Sequence, residues 1–182
     1  MTTLKEFKQD VYSFIEEYDK SAKELTKDVD IIAKINAIIN TKILEVTRYK
    51  KIEAKETLDV IENEEYELSD IDSNAYQIKK IVGVKYEQEG KFITFKETGT
   101  AKIYFYKYPK RISADTKEDE YKFEVDPEVL EIAKIGVAAD ILKMDVSNQY
   151  GRIWDNEYQR LLQTLDPRKT SGTVIIGSGV NI

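Results

Sequence analysis

The sequence predicts an α+β fold: a helical bundle of four main helices with an inserted antiparallel β-meander and an extended C-terminal tail. Three observations predict it. Both ends of the chain carry apolar residues at steps of three and four, the spacing of amphipathic helices. The middle carries alternating aromatic and β-branched runs, bounded by glycines at hairpin spacing. Asp126–Met144 reads as a helix apolar nearly all round, which needs either a central place in a core or cover from another subunit. On this reading residues 1–51 and 121–166 form the helical body, 52–120 the inserted meander, and 167–182 a flexible C-terminal arm.

Thr3 followed by Glu6 fits a capping box, a hydroxyl with a carboxylate three residues on. Leu4, Phe7, Val11, Phe14 and Tyr18 then form one apolar stripe. Ser21 with Glu24 is a second capping box, so the helix is expected to break at Asp19–Ser21 and restart. The restart runs through Leu25, Val29, Ile32, Ile35, Ile39, Ile43 and Val46 to about Tyr49. The break rests on caps alone, and one continuous helix is the alternative.

Between Glu53 and Asp72 there are nine carboxylates against one lysine, Lys55. Thr57–Ile61 and Tyr66–Leu68 survive there as short runs, with a turn at Glu62–Asn63. Glu64, Glu65, Asp70 and Asp72 invite a divalent-cation reading, but a calcium loop needs a glycine at its sharp turn and this stretch has none. A solvated acidic face is the expectation. Tyr76–Tyr86, Lys91–Lys96 and Ala101–Tyr108 follow as the strands of the meander, with turns at Gln88–Gly90 and Glu97–Gly99. Tyrosines interleaved with Lys79, Lys80, Lys85, Lys102 and Lys107 resemble a base-stacking platform. Lysines on a wet face beside half-buried tyrosines are the simpler reading.

Pro109 ends the sheet, and Tyr121–Val125 leads as a short strand into the apolar helix. There Asp126 caps the free N–H groups, Pro127 takes the first helical position, and Glu128 faces the positive end of the dipole. Glu131, Lys134, Asp140 and Lys143 are its only later polar side chains. Gly136, Ala138 and Ala139 imply a backbone neighbour close by. Val137 and Ile141 are the candidates to face a neighbouring subunit, and a monomer is expected to leave part of this helix exposed. Asp145 or Ser147 caps a last helix with the stripe Tyr150, Trp154, Tyr158, Leu161 and Leu165, stopped at Asp166–Pro167. Trp154 and Tyr158 are further subunit-interface candidates. The short link makes the last two helices antiparallel neighbours.

No charge follows Lys169. Gly172 and Gly177 bracket Thr173, Val174, Ile175 and Ile176, a strand-forming tetrapeptide with no hairpin partner nearby. Such a segment suits β-augmentation of another chain's sheet edge, or folds back on its own meander.

Composition narrows the chemistry. The 182 residues suit one domain, or one domain with an insertion. Cysteine is absent, which excludes disulfides, thiolate metal sites and cysteine nucleophiles; histidine is absent too, which removes imidazole bases and ligands. A net charge of −6 argues against generic nucleic-acid binding. No apolar run approaches the ~20 residues of a membrane span, and nothing at the N-terminus marks the chain for secretion. The expectation is a non-enzymatic protein with no cofactor and no membrane partner.

The order of motifs is itself informative. A meander ends in Tyr106-Lys-Tyr-Pro-Lys-Arg111, and Val125-Asp-Pro-Glu leads into an alanine-rich helix. Then come Ala138-Ala-Asp-Ile-Leu-Lys-Met-Asp-Val-Ser-Asn-Gln-Tyr150, Tyr158-Gln-Arg-Leu-Leu, and a glycine-rich tail. This order resembles the head-to-tail adaptor (connector) proteins of tailed bacteriophages, most closely from Tyr104 to Asp166 and by layout alone before that. The resemblance implies a structural protein of the virion neck, made in the bacterial host cytoplasm. It implies a twelve-membered homo-oligomeric ring between the portal protein and a tail, stopper or nozzle protein. DNA would pass through the channel without specific binding, and the C-terminal arm, Gly172–Gly177, would reach the portal. A nucleic-acid or protein binding accessory module that uses the tyrosine/lysine-rich sheet is the alternative.

Overall fold

A computed structural model describes residues 1–15, 28–144 and 149–165. Its element order is α1 (Leu4–Phe14), α2 (Val29–Tyr49), β1 (Ile52–Val60), β2 (Glu65–Glu67), α3 (Leu68–Ile71), β3 (Ala75–Val82), β4 (Tyr86–Glu89), β5 (Phe92–Phe95), β6 (Gly99–Lys107), α4 (Pro127–Leu142) and α5 (Tyr150–Thr164).

The fold is mixed α+β, but the expected four-helix bundle with one meander is corrected. Five helices occur among the described residues, and the strands form two three-stranded antiparallel sheets rather than a meander. Their orders are β1-β6-β3 and β2-β5-β4. Two physical reasons explain the difference. The acidic stretch contributes a full nine-residue strand, β1, paired to β6 from Ile52↔Lys107 to Val60↔Gly99. Ile52, Ala54, Leu58 and Val60 share one face of it and Glu53, Lys55 and Asp59 the other, but Glu56 interrupts the apolar face while the backbone pairing is complete. The second reason is Gly83, which holds φ +110° where a Cβ would meet the Thr100 carbonyl oxygen at 2.5 Å. The chain leaves the first sheet at this point, so the long expected strand Tyr76–Tyr86 divides into β3 and β4. The β4–β5 hairpin does turn at Gly90, with φ +62°.

The two sheets close on a shared core of Val60, Leu68, Ile93, Phe95, Ala101, Ile103 and Phe105. A second, larger core joins the helices. It contains Leu4, Phe7 and Val11 of α1, Ile31, Ile35, Ile39, Ile43 and Val46 of α2, most of α4, and Tyr158 and Leu162 of α5. In α1 the expected capping box is present, with Thr3 and Glu6 bonding reciprocally. Asp28 caps α2 through the amides of Asp30 and Ile31. The buried stripe of α2 is shifted by one residue at its start. Ile31 is buried, whereas Val29 and Ile32, expected inside, are exposed.

Helix α4 is the hub of the helical core. Asp126 caps it and Pro127 opens it, as expected. Its polar side chains tie it to its neighbours. Lys134, almost fully buried, reaches Asp10 of α1 at 2.7 Å and Glu131 at 2.5 Å. Asp140 accepts from Lys42 of α2 at 3.1 Å, and Lys143 bonds Asp155 of α5 at 2.9 Å. Lys42 opposite Asp140 and Lys50 opposite Asp126 set α2 antiparallel to α4. Val129, Leu130, Ile132, Ala133, Val137, Ala138, Ala139 and Ile141 are all buried within one chain, and Met144 at the end of the stretch is 39% exposed.

The link from β6 to α4 carries no regular strand; the expected lead-in Tyr121–Val125 makes only an isolated bridge, Lys122 to Thr3. It is fastened from both sides instead. Asn40 of α2 donates to the Ile112 carbonyl at 2.8 Å and accepts from the Ile112 amide at 2.9 Å. The Tyr121 hydroxyl donates to the Lys110 carbonyl at 2.5 Å, and Lys8 pairs with Glu118 at 2.5 Å. The helix break at Asp19–Ser21, the caps Asp145 and Ser147, and the whole C-terminal arm lie outside the described residues.

Candidate functional site

The fastened link and α2 flank a cleft of about 850 Å³. Its floor is apolar, from Ile43 and Leu44 of α2 and Ile112 of the link. Its rim is cationic. Arg48 comes from the last turn of α2, Lys51 from the start of β1, Lys107 from the end of β6, and Lys110 and Arg111 from the link. Helix geometry and the Asn40–Ile112 pair put these side chains around one opening.

The cations are not equivalent. Lys107 is held by Glu124 at 3.0 Å and Asp72 at 3.5 Å. Burial pulls its pKa down, but the hydrogen bond and charge of Glu124 prevail and hold it above the ordinary lysine value. Lys51 bonds Gln77 and lies 4.6 Å from the centre of the Tyr106 ring. Arg48, Lys110 and Arg111 have no side-chain ion pair among the described residues. Burial also pushes the Tyr121 phenol at the cleft wall up to about 12, aided by the charge of Glu124.

The tyrosine–lysine face lies beside this cleft, on β6 and β3. Tyr76 packs against Tyr108 at 4.5 Å and Tyr106 at 6.4 Å. Lys80 covers the Tyr104 ring at 4.6 Å, while Lys51 and Lys79 approach Tyr106 at 4.6 and 5.8 Å. The ring faces a base would stack on therefore already carry cations, and Lys79 is further tied to Glu53 at 2.6 Å. Tyr76 is raised by burial first and then by the two neighbouring phenols.

The acidic candidates are dispersed. Glu64 accepts from the Tyr66 hydroxyl, Asp70 caps the Glu67 amide, and Asp72 binds the Asn74 amide and Lys107. Among the described residues no carboxylate cluster is arranged to hold a metal ion. Likewise no described helix is long and apolar enough to cross a membrane.

Three of the four expected subunit-interface positions are interior to one chain. Val137 and Tyr158 are fully buried and Ile141 nearly so. Tyr158 fills the space over Gly136 and under Lys42, whose ammonium lies 4.6 Å from the ring centre. Burial pushes its phenol far above the ordinary value; Glu45 adds to this through charge, since the hydroxyl itself makes no hydrogen bond. Trp154 is half-buried against Phe14 at 5.4 Å. Gly172, Thr173, Val174, Ile175, Ile176 and Gly177 lie outside the described residues.

Sequence reasoning missed Arg48, Lys110, Arg111 and Asn40 as one group. The available signal was the Pro109-Lys-Arg111 run after a strand, because proline forces the chain off the sheet and exposes the two cations that follow. No protein-family model matches the sequence, and no curated protein matches it significantly.

Proposed function

We propose that this chain is a structural protein of the phage neck, forming a ring that attaches to the portal and joins the DNA-filled head to the tail. One observation carries the proposal. Within the stretch that bears the resemblance, Tyr104 to Asp166, the described elements brace one another. Strand β6 feeds a link fastened to α2, the link feeds the buried hub α4, and α5 returns antiparallel beside it. A rigid unit of this kind suits a part that must hold its shape under load. The exposed apolar side chains Val29 and Ile32 on α2 and Ile153 on α5 offer surface to neighbouring subunits. The uncharged arm, Gly172–Gly177, is the segment proposed to pair with the portal, and stopper or nozzle proteins would bind the opposite end. DNA passes through the channel without specific contacts.

The test is native mass spectrometry of the full chain with and without a portal protein from the same source. A large complex of defined stoichiometry is the expected result with portal. A chain that stays monomeric in its presence overturns the proposal. Deletion of Gly172–Ile182 then tests the arm: unchanged assembly removes its role.

A further inference from the structure

We infer that adjoining copies of this chain interlock head to tail, the exposed acidic tip Ile61–Glu65 of one copy seating in the cationic cleft of the next. The inference rests on the proposed ring and names its contact. The tip connects β1 to β2. It presents Ile61, 59% exposed, with Glu62, Glu64 and Glu65 around it. It is held out rigidly, with Asn63 at φ +62° and its amide donating to the Phe95 carbonyl at 2.8 Å, and the Glu62 amide donating to Thr98. Glu62 and Glu65 have no ion pair among the described residues.

The cleft has the complementary arrangement. Its apolar floor of Ile43, Leu44 and Ile112 matches one projecting isoleucine, and Arg48, Lys110 and Arg111 on the rim have no carboxylate partner among the described residues. Most of the basic side chains around the helical core, such as Lys42, Lys50, Lys134 and Lys143, are already paired. The tip and the cleft are therefore two places of opposite charge and matching apolar character, in a chain whose net charge of −6 otherwise opposes self-association.

Topology forbids the contact within one chain. Strand β1 begins at Ile52, next to the cleft residue Lys51, and ends at Val60, next to the tip. Nine residues of strand separate the two by about 27 Å. Two different, complementary surfaces at opposite ends of one element make a heterologous contact, which repeats from copy to copy and closes into a ring when the rotation per subunit allows.

The experiment uses two full-length double variants, R48E/R111E, which replaces two cations of the cleft by carboxylates, and E62R/E65R, which replaces two carboxylates of the tip by cations. All four positions are exposed, and matching melting curves check that the folds are intact. Self-association is measured by sedimentation at low and high salt. Wild type is expected to associate in a salt-sensitive way, and each variant alone to associate about tenfold more weakly or worse. An equimolar mixture of the two variants is expected to recover association to within about threefold of wild type, because every cleft again meets an opposite tip. A mixture no better than its components overturns the inference, as does a wild type that never self-associates. Loss of single-stranded DNA binding in R48E/R111E with self-association unchanged also overturns it and makes the cleft a nucleic-acid site. The two proposals fail separately. Recovery in the mixture without any portal complex sinks the connector reading alone, whereas normal portal complexes from either unmixed variant sink the tip-to-cleft contact alone.

Discussion

Gly136 of α4 lies directly beneath the ring of Tyr158 on α5, so close that a Cβ at position 136 would sit 2.7 Å from Cε2 and 2.9 Å from two further ring carbons. The ring is fully buried and cannot withdraw. Gly136→Ala therefore overpacks the α4–α5 contact at a cost of about 3 kcal/mol. The better helix propensity of alanine offsets about 1 kcal/mol of that. A net loss of about 2 kcal/mol in urea unfolding is expected. In a Tyr158→Leu background the clash disappears and the same glycine substitution should be neutral or stabilising. Equal effects in both backgrounds would mean that the ring is not what fixes Gly136.

That pair also marks how far the sequence could be read. Gly136, Ala138 and Ala139 signalled a close neighbour, and the short link made the last two helices antiparallel, which Lys143–Asp155 and Gly136–Tyr158 reproduce. Caps were legible because they are local: Thr3 with Glu6, and Asp126 with Pro127, need only a few adjacent residues. What stayed hidden was pairing over distance. Strand β1 reads as a solvated acidic stretch because Glu56 interrupts the alternation of Ile52, Ala54, Leu58 and Val60, and its partner in β6 lies far off in sequence, from Val60↔Gly99 to Ile52↔Lys107. The cleft was hidden for the same reason, since Arg48 and Arg111 meet only after Asn40 fastens Ile112 to α2.

The Lys134 clamp between α1 and α4 gives a second prediction. Its ammonium is buried, whereas Asp10 and Glu131 are 51% and 62% exposed and return to water if it is removed. Lys134→Met keeps the packing and should cost about 1 kcal/mol or less, while Lys134→Ala adds a cavity and should cost about 2 kcal/mol or more. Burial lowers the lysine pKa, but hydrogen bonds from Asp10 and then Glu131 outweigh it and the net shift is upward from 10.5. A raised pKa contributes stability that is fully present below the unfolded value and is lost as pH rises through the folded one. Neutral-pH denaturation should therefore be flat for wild type, with a loss above 10.5 that Lys134→Met lacks. Chemical denaturation across the alkaline range checks this.

Asp126 predicts the acid limb. The Lys50 ammonium at 2.9 Å, followed by the Glu128 amide, holds its carboxyl below the ordinary 3.8. A depressed pKa contributes stability above the unfolded value and loses it as pH falls through the folded one. Asp126→Asn keeps the cap but removes the ion pair, so its stability should fall less steeply than wild type below 3.8. The exposed position keeps the difference small. Parallel curves for the two proteins would show that Asp126 does not titrate against Lys50.

Gly83 controls the change of sheet. With φ +110° and the Thr100 carbonyl oxygen 2.5 Å from where a Cβ would stand, Gly83→Ala meets both backbone strain and a rigid obstacle. A loss of about 3 kcal/mol is expected. Gly90 in the β4–β5 turn has φ +62° but open space around it, so Gly90→Ala should cost only about 1 kcal/mol. Thermal midpoints ranked the other way would overturn the assignment of Gly83 as the crossover point.

The tyrosine–lysine face supplies the last prediction. Lys80 over Tyr104 and Lys51 over Tyr106, both at 4.6 Å, make these rings part of the sheet's own surface rather than an open platform. Each such contact at an exposed site contributes about 0.5–1 kcal/mol. Lys80→Met and Lys51→Met should therefore each lower stability by about that amount, and Tyr104→Ala with Tyr106→Ala by more, since half-buried rings are lost as well. Fluorescence titration with single-stranded DNA should show no salt-sensitive binding that depends on these two tyrosines. Binding that appears at low salt and vanishes in the double alanine variant would instead mean that the lysines swing aside and the rings accept bases.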